Sequence, residues 1–184
     1  MPLDIQLYCG GRDEKRIKDV GPTTTEIIKQ GPRTGQPYYS YKPKNGGLWS
    51  STYTPDGEFC SDWIDWCKRE EFAHYTERQC RLIKPDQDAR IFVIETYDDL
   101  RELIKTYTPI EYIRDAPIFG APLNFEAISK DYDAIQLTKK GQTNTRWSEP
   151  FNLNGWDVES TLWLRDKFQV IGPLPPENER KCKL

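Results

Sequence analysis

Asp157 and Glu159 stand two residues apart in the run Trp156-Asp157-Val158-Glu159-Ser160-Thr161-Leu162-Trp163-Leu164. Its alternation reads as a late strand. A side-chain period of two puts both carboxylates on one face and Val158, Leu162 and Leu164 on the other. An acidic pair on the open face of a core strand either meets solvent at an edge or does chemistry. Two other runs carry reactive or stacking groups. Leu7-Tyr8-Cys9-Gly10-Gly11 is a strand end in which a tyrosine is followed by glycines. Gly47-Leu48-Trp49-Ser50-Ser51-Thr52, continued by Tyr53, joins aromatic and hydroxyl side chains in a strand before a helix.

Other common chemistries lack their residues. There is no G-x-x-x-x-G-K-[ST] phosphate loop, no G-x-G-x-x-G and no G-x-S-x-G. His74 is the only histidine, so any Ser-His-Asp or Cys-His site would have to use it. It follows an aromatic helix and reads as a structural or surface residue. Asp62, Asp65, Glu70 and Glu71 on that helix read as a solvated face. The cysteines are Cys9, Cys60, Cys67, Cys80 and Cys182, with no CxxC pair. The odd count and the absence of an apparent secretory leader lead us to expect five reduced thiols and an intracellular, cytoplasmic setting. No metal site is expected.

Several elements must position these groups. Ile5 to Cys9 is a first strand, and residues 12–37 read as a long polar loop with a helical turn near Thr25 to Gln30. Tyr38 to Tyr41 and Leu48 to Tyr53 are strands around an Asn45-Gly46-Gly47 turn. Ser61 to Phe72 is the best helix. Ser61 serves as its N-cap, and Phe59, Trp63, Trp66 and Cys67 form an apolar stripe expected to pack on a sheet. Ala89 to Ile94 reads as a buried strand. Thr96-x-x-Asp99 resembles a capping box opening a helix with Leu100, Leu103, Ile104 and Tyr107 inward. Asn124 caps a short helix, Tyr132 to Leu137 is a strand, residues 139–155 read as a loop, and Phe168 to Ile171 is the last strand. Strands and helices mix without a strict βα repeat. The expected class is α+β, one domain over 1–173 with mixed or antiparallel sheets, and a charged tail over 174–184.

In order and spacing, Tyr8-Cys9-Gly10, Ser50-Ser51-Thr52 and Asp157-x-Glu159 resemble the ADP-ribosyltransferase fold of mono-ADP-ribosylating toxins and poly(ADP-ribose) polymerases. That family carries an Arg or His in the first strand, an aromatic-Ser or Ser-Thr-Ser element in the second and a Glu in a late strand. The resemblance implies NAD as substrate, cleavage of its nicotinamide–ribose bond and transfer of ADP-ribose to an acceptor, more readily a protein than a nucleic acid. It implies Glu159 and Asp157 as catalytic residues. It implies Tyr8, Cys9, Gly10, Trp49, Ser50, Ser51 and Tyr53 around the dinucleotide. Cys9 stands where the family has Arg or His, and Arg12 is the nearby cation that could substitute. Asp157 replaces the commoner Glu or Gln.

Composition bounds the remaining readings. The 184 residues hold 26 Lys and Arg against 29 Asp and Glu, a net charge of -3, which gives no electrostatic case for general nucleic-acid or membrane-surface binding. No apolar run reaches the roughly 18–20 residues that span a bilayer. Six Trp, ten Tyr and seven Phe supply the core that aliphatic residues do not. The competing reading is a non-catalytic interaction protein, viral or effector-like, that binds a partner through exposed aromatics. A carbohydrate- or nucleotide-binding module with stacking aromatics is a third.

Overall fold

The computed structural model describes residues 3–10, 17, 19–30, 35–72, 80–113, 120–176 and 179. Nine strands are present among them: β1 (Gln6–Tyr8), β2 (Thr24–Ile28), β3 (Tyr38–Asn45), β4 (Leu48–Thr52), β5 (Arg81–Pro85), β6 (Ile91–Ile94), β7 (Ala134–Leu137), β8 (Ser160–Trp163) and β9 (Phe168–Pro173). Five short helices accompany them among the described residues: α1 (Asp62–Arg69), α2 (Tyr97–Tyr107), α3 (Ile110–Ile113), α4 (Phe125–Asp131) and α5 (Lys139–Thr145). The class is α+β in one domain.

Seven strands form a mixed sheet in the order β6-β7-β8-β4-β1-β5-β9, and β2 and β3 form a separate two-stranded sheet. Among the described strands only β6 and β7 run parallel; the crossover between them carries α2, α3 and α4. These helices cover one face of the sheet. There Leu100, Leu103 and Ile104 of α2 and Phe125 and Ile128 of α4 pack on Ile135, Leu137 and Leu162. Tyr8, Leu48, Ile83, Trp163 and Phe168 form a second cluster, and Ile64 of α1 packs with Leu7, Cys60, Leu82 and Leu174 in a third.

Local sequence explains the helix starts. Ser61 accepts from the Ile64 amide at 3.2 Å. Thr96 and Asp99 form a reciprocal capping box, and Asn124 accepts from the Ala127 amide at 3.1 Å. Each cap satisfies an amide that the first helical turn leaves without a partner. Asp133 clips the sheet edge. Its carboxylate accepts from the Arg90 amide and guanidinium, and its carbonyl accepts from the amides of Leu164 and Arg165.

The structure corrects several expectations. Thr24–Ile28 is a strand paired with β3, not a helical turn; its Thr- and Ile-rich run suits a pleated surface. Arg81–Pro85 is a strand where sequence showed only a polar stretch, and residues 139–145 are a helix capped by Thr138 inside the expected loop. β6 is an edge strand rather than a buried one, and Val93 is 42% exposed. On α1 the inward residues are Ile64 and Cys67; Trp63 and Trp66 stack on each other at 5.1 Å, half-buried on the flank. Leu174, expected to begin the tail, is buried and donates its amide to the Cys80 carbonyl. Cys60 is disulfide-bonded, its partner lying outside the described residues, so five reduced thiols are not what the chain carries. Among the described residues no helix is long and apolar enough to cross a membrane.

Candidate functional site

Sheet order brings the three motif strands side by side as β8-β4-β1. β1 and β4 pair only at Gln6–Thr52 and Leu7–Ser51. Beyond that point the C-terminal end of β1 and the N-terminal end of β4 both border a cleft of about 490 Å³. This falls within the roughly 300–1,000 Å³ typical of small-molecule sites. Tyr8, Cys9 and Gly10 line it from β1, Trp49, Ser50 and Ser51 from β4, and Trp156, Asp157, Val158 and Ser160 from the approach to β8. Trp63 and Phe72 close one flank, and Lys42 is the cation among its described lining residues.

Three glycines shape this wall. Gly10 lies against the Tyr8 ring so closely that a Cβ would overlap the phenol. Gly46 and Gly47 take φ of +71° and +75°, the left-handed region that lets the turn between β3 and β4 deliver Leu48 into its strand. Trp49 meets Trp156 edge to face, with ring centroids 4.6 Å apart. The wall thus offers flat apolar surfaces next to small hydroxyls.

Glu159 is held differently from Asp157. Its side chain is 7% exposed. The carboxylate accepts from Ser51 Oγ at 3.0 Å, the Thr52 amide at 3.0 Å and Thr52 Oγ1 at 2.7 Å. Ser51 itself lines the cleft, so Glu159 sits one hydrogen bond behind the wall while Asp157 lies on it. Burial raises the Glu159 pKa above its ordinary 4.5; the Thr52 and Ser51 hydrogen bonds oppose this without cancelling it. The two carboxylates do not share one strand face as the period of two implied. β8 begins at Ser160, and residues 157–159 precede it as irregular backbone.

A polar chain missed by sequence ties the three strands together. Trp163 Nε1 donates to Ser50 Oγ at 3.0 Å, and Ser50 Oγ donates to Gln6 Oε1 at 3.3 Å. Gln6 Nε2 donates to Thr52 Oγ1 at 3.3 Å, and Thr52 donates onward to Glu159. Gln6 is fully buried. Buried polar groups of this kind are costly unless each finds a partner, so the chain constrains the register of β1, β4 and β8 and the rotamer of Glu159 together.

Of the remaining expected residues, Tyr53 packs against the Leu7–Ile64 cluster, donates its amide to the Ile5 carbonyl and is absent from the lining of the cleft. Arg12 and His74 lie outside the described residues. Among the described residues no cluster of His, Cys, Asp and Glu could hold a metal ion. No protein-family model, curated protein or solved structure matches the chain.

Proposed function

We propose that the protein is an NAD-dependent ADP-ribosyltransferase-like enzyme that cleaves the nicotinamide–ribose bond and passes ADP-ribose to an acceptor. The observation that carries this reading is the adjacency of three distant motifs. Residues 8–10, 50–51 and 157–158 come from distant parts of the chain, yet they border one cleft on or beside three neighbouring strands, with Glu159 hydrogen-bonded behind Ser51.

The chemistry suits the groups present. Breaking the bond to nicotinamide develops positive charge on the ribose, and a fixed carboxylate stabilises that charge. Glu159 is fixed by three hydrogen bonds from Ser51 and Thr52. Trp49, Trp156 and Tyr8 supply flat surfaces for planar rings, Ser50 and Ser51 supply hydroxyls for ribose, and Asp157 lines the same cleft as a second carboxylate. Cys9, in place of Arg or His, removes a charge from the first strand, and Lys42 is a cation that borders the same cleft.

The placement of Glu159 behind the wall favours one second reading, in which the cleft binds a partner or nucleotide without turnover. Nicotinamide release by the purified protein separates the two. Glu159→Gln keeps the shape and removes the charge, and is expected to lower release about 10²–10³-fold. Dinucleotide affinity should change much less, because the charge it opposes develops in the transition state. Asp157→Asn is expected to affect transfer to an acceptor more than cleavage. Absence of NAD binding at millimolar concentration, or a Glu159→Gln variant as active as the parent, would leave the second reading in place.

A further inference from the structure

We propose that Cys9 and Cys80 are a redox modification site: a disulfide-forming pair that staples the end of β1, and with it one wall of the cleft, to the start of β5. The proposal stands whether or not the cleft takes NAD. Pairing register carries it. β1 and β5 run antiparallel with Gln6 opposite Ile83, Leu7 opposite Leu82 and Tyr8 opposite Arg81. Continued by one residue, that register sets Cys9 opposite Cys80. Side chains directly opposite on an antiparallel pair project from the same face with Cβ atoms about 4.5–5.5 Å apart, close to what a disulfide spans. The two Sγ atoms are 2.6 Å apart, so little movement of the backbone is needed to join them.

A second observation concerns the setting. Cys60 is already disulfide-bonded and shares a core cluster with Cys80, against which Cys9 packs, so the chain carries an oxidised cysteine in the same cluster as this pair. Position does the rest. Cys80 is fully buried, while Cys9 is half-buried and lines the cleft, which gives a small oxidant a route to one sulfur. The matching reagent is a low-molecular-weight disulfide such as glutathione disulfide. One thiol of the pair loses its proton and attacks a sulfur of the reagent, expelling one glutathione thiolate. The other thiol then attacks the mixed disulfide and expels the second. Two electrons and two protons leave the protein, and the reagent is reduced to two glutathione molecules. The Cys9 thiol is held high by its contact with Cys80, then by burial and by the neighbouring sulfurs. Exchange is therefore expected to be slow at neutral pH and to quicken as pH rises.

Cys67 is the competitor. It is buried on α1, and its thiol is pushed up to about 11 by burial and by Cys80. The experiment must tell the two pairings apart. The full chain is equilibrated in glutathione buffers of graded redox poise, quenched in acid, alkylated and mapped by mass spectrometry without reduction. The expected result is a linked peptide pair containing Cys9 and Cys80 in oxidising buffer, with Cys67 alkylated throughout. Cys67→Ser should keep that pair and Cys80→Ser should abolish it. Amide exchange at Tyr8, Cys9 and Gly10 is expected to speed up when the pair is reduced. Cys9 and Cys80 both alkylated in buffer that leaves Cys60 oxidised would overturn the proposal. So would a Cys67 linkage to either of them.

Discussion

A single carboxylate shows how environment sets a residue's task. Glu159 and Asp157 are two positions apart, but only Glu159 is buried and wired to hydroxyls. Burial raises its pKa and hydrogen bonds from Thr52 and Ser51 pull it back. Activity that needs the ionised form should therefore fall along an acid limb that lies above the ordinary 4.5. Ser51→Ala deletes one group that favours the ionised form. The limb is expected to move to higher pH, read from the pH profile of nicotinamide release, while Ser51→Thr should restore part of it. The residue types of this site were legible in sequence, because Tyr, Trp, Ser and acidic groups cluster in three short runs. Gln6 was not. Alternation in Ile5-Gln6-Leu7 suggests a glutamine facing solvent, but β1 is central and covered on both faces, so Gln6 is buried with Ser50 and Thr52 as partners. The signal that could have exposed it was a lone polar residue in a strand too apolar to sit at an edge.

Elements fail or succeed in sequence according to where their information lies. The helices α1, α2 and α4 announce themselves through caps, Ser61, Thr96 and Asn124, whose side chains act within one turn. α5 starts from Thr138 but reads Lys-Lys-Gly-Gln-Thr-Asn-Thr, with no apolar stripe to betray it. What holds it is close contact with the sheet. Gly141 faces the Ile94 carbonyl at the end of β6, and a Cβ there would overlap the carbonyl oxygen. Helix propensity alone says that Gly141→Ala gains about 1 kcal/mol. The clash is with backbone, which cannot swing aside, so the expected sign is reversed: a net loss of about 1–3 kcal/mol, measured by denaturant unfolding. The face of α1 was misread for a related reason. Trp63 and Trp66 are the largest apolar residues on that helix, yet they stack with each other beside Phe72, and the smaller Ile64 fits beneath.

At the scale of the molecule, class and domain count followed from composition and from the irregular order of strands and helices, whereas strand neighbours did not. No local pattern says that β1 lies between β4 and β5, or that β8 returns beside β4. Those pairings rest on side chains far apart in sequence, and Asp133 gathers one set of them. Burial alone would push its carboxyl up. Hydrogen bonds from the Arg90 side chain and amide, with the charges of Arg90 and Arg165, outweigh burial and hold it below the ordinary 3.8. A depressed carboxyl contributes stability that is fully present above the unfolded value and is lost as pH falls through the folded one. Acid unfolding is therefore expected to steepen below about pH 4. Asp133→Asn should flatten that region and cost about 1–3 kcal/mol at neutral pH, since it disturbs a buried acceptor shared by Arg90. Thermal unfolding across a pH series checks both.

The order of strands in the sheet also dictates when the cleft can exist during synthesis. Its walls are made at residues 7–10, then 47–51, then 155–160. β4 gains its second neighbour only when Ser160–Trp163 has been made, more than 100 residues after β4 itself. A growing chain therefore presents β4 with one unpaired edge for most of its length on the ribosome. Contacts this distant in sequence also slow folding, because the loop between them must close first. A chain stopped at Trp156 is expected to show rapid amide exchange throughout β4. Whatever the cleft binds, it meets no receptive surface until nearly the last strand is in place.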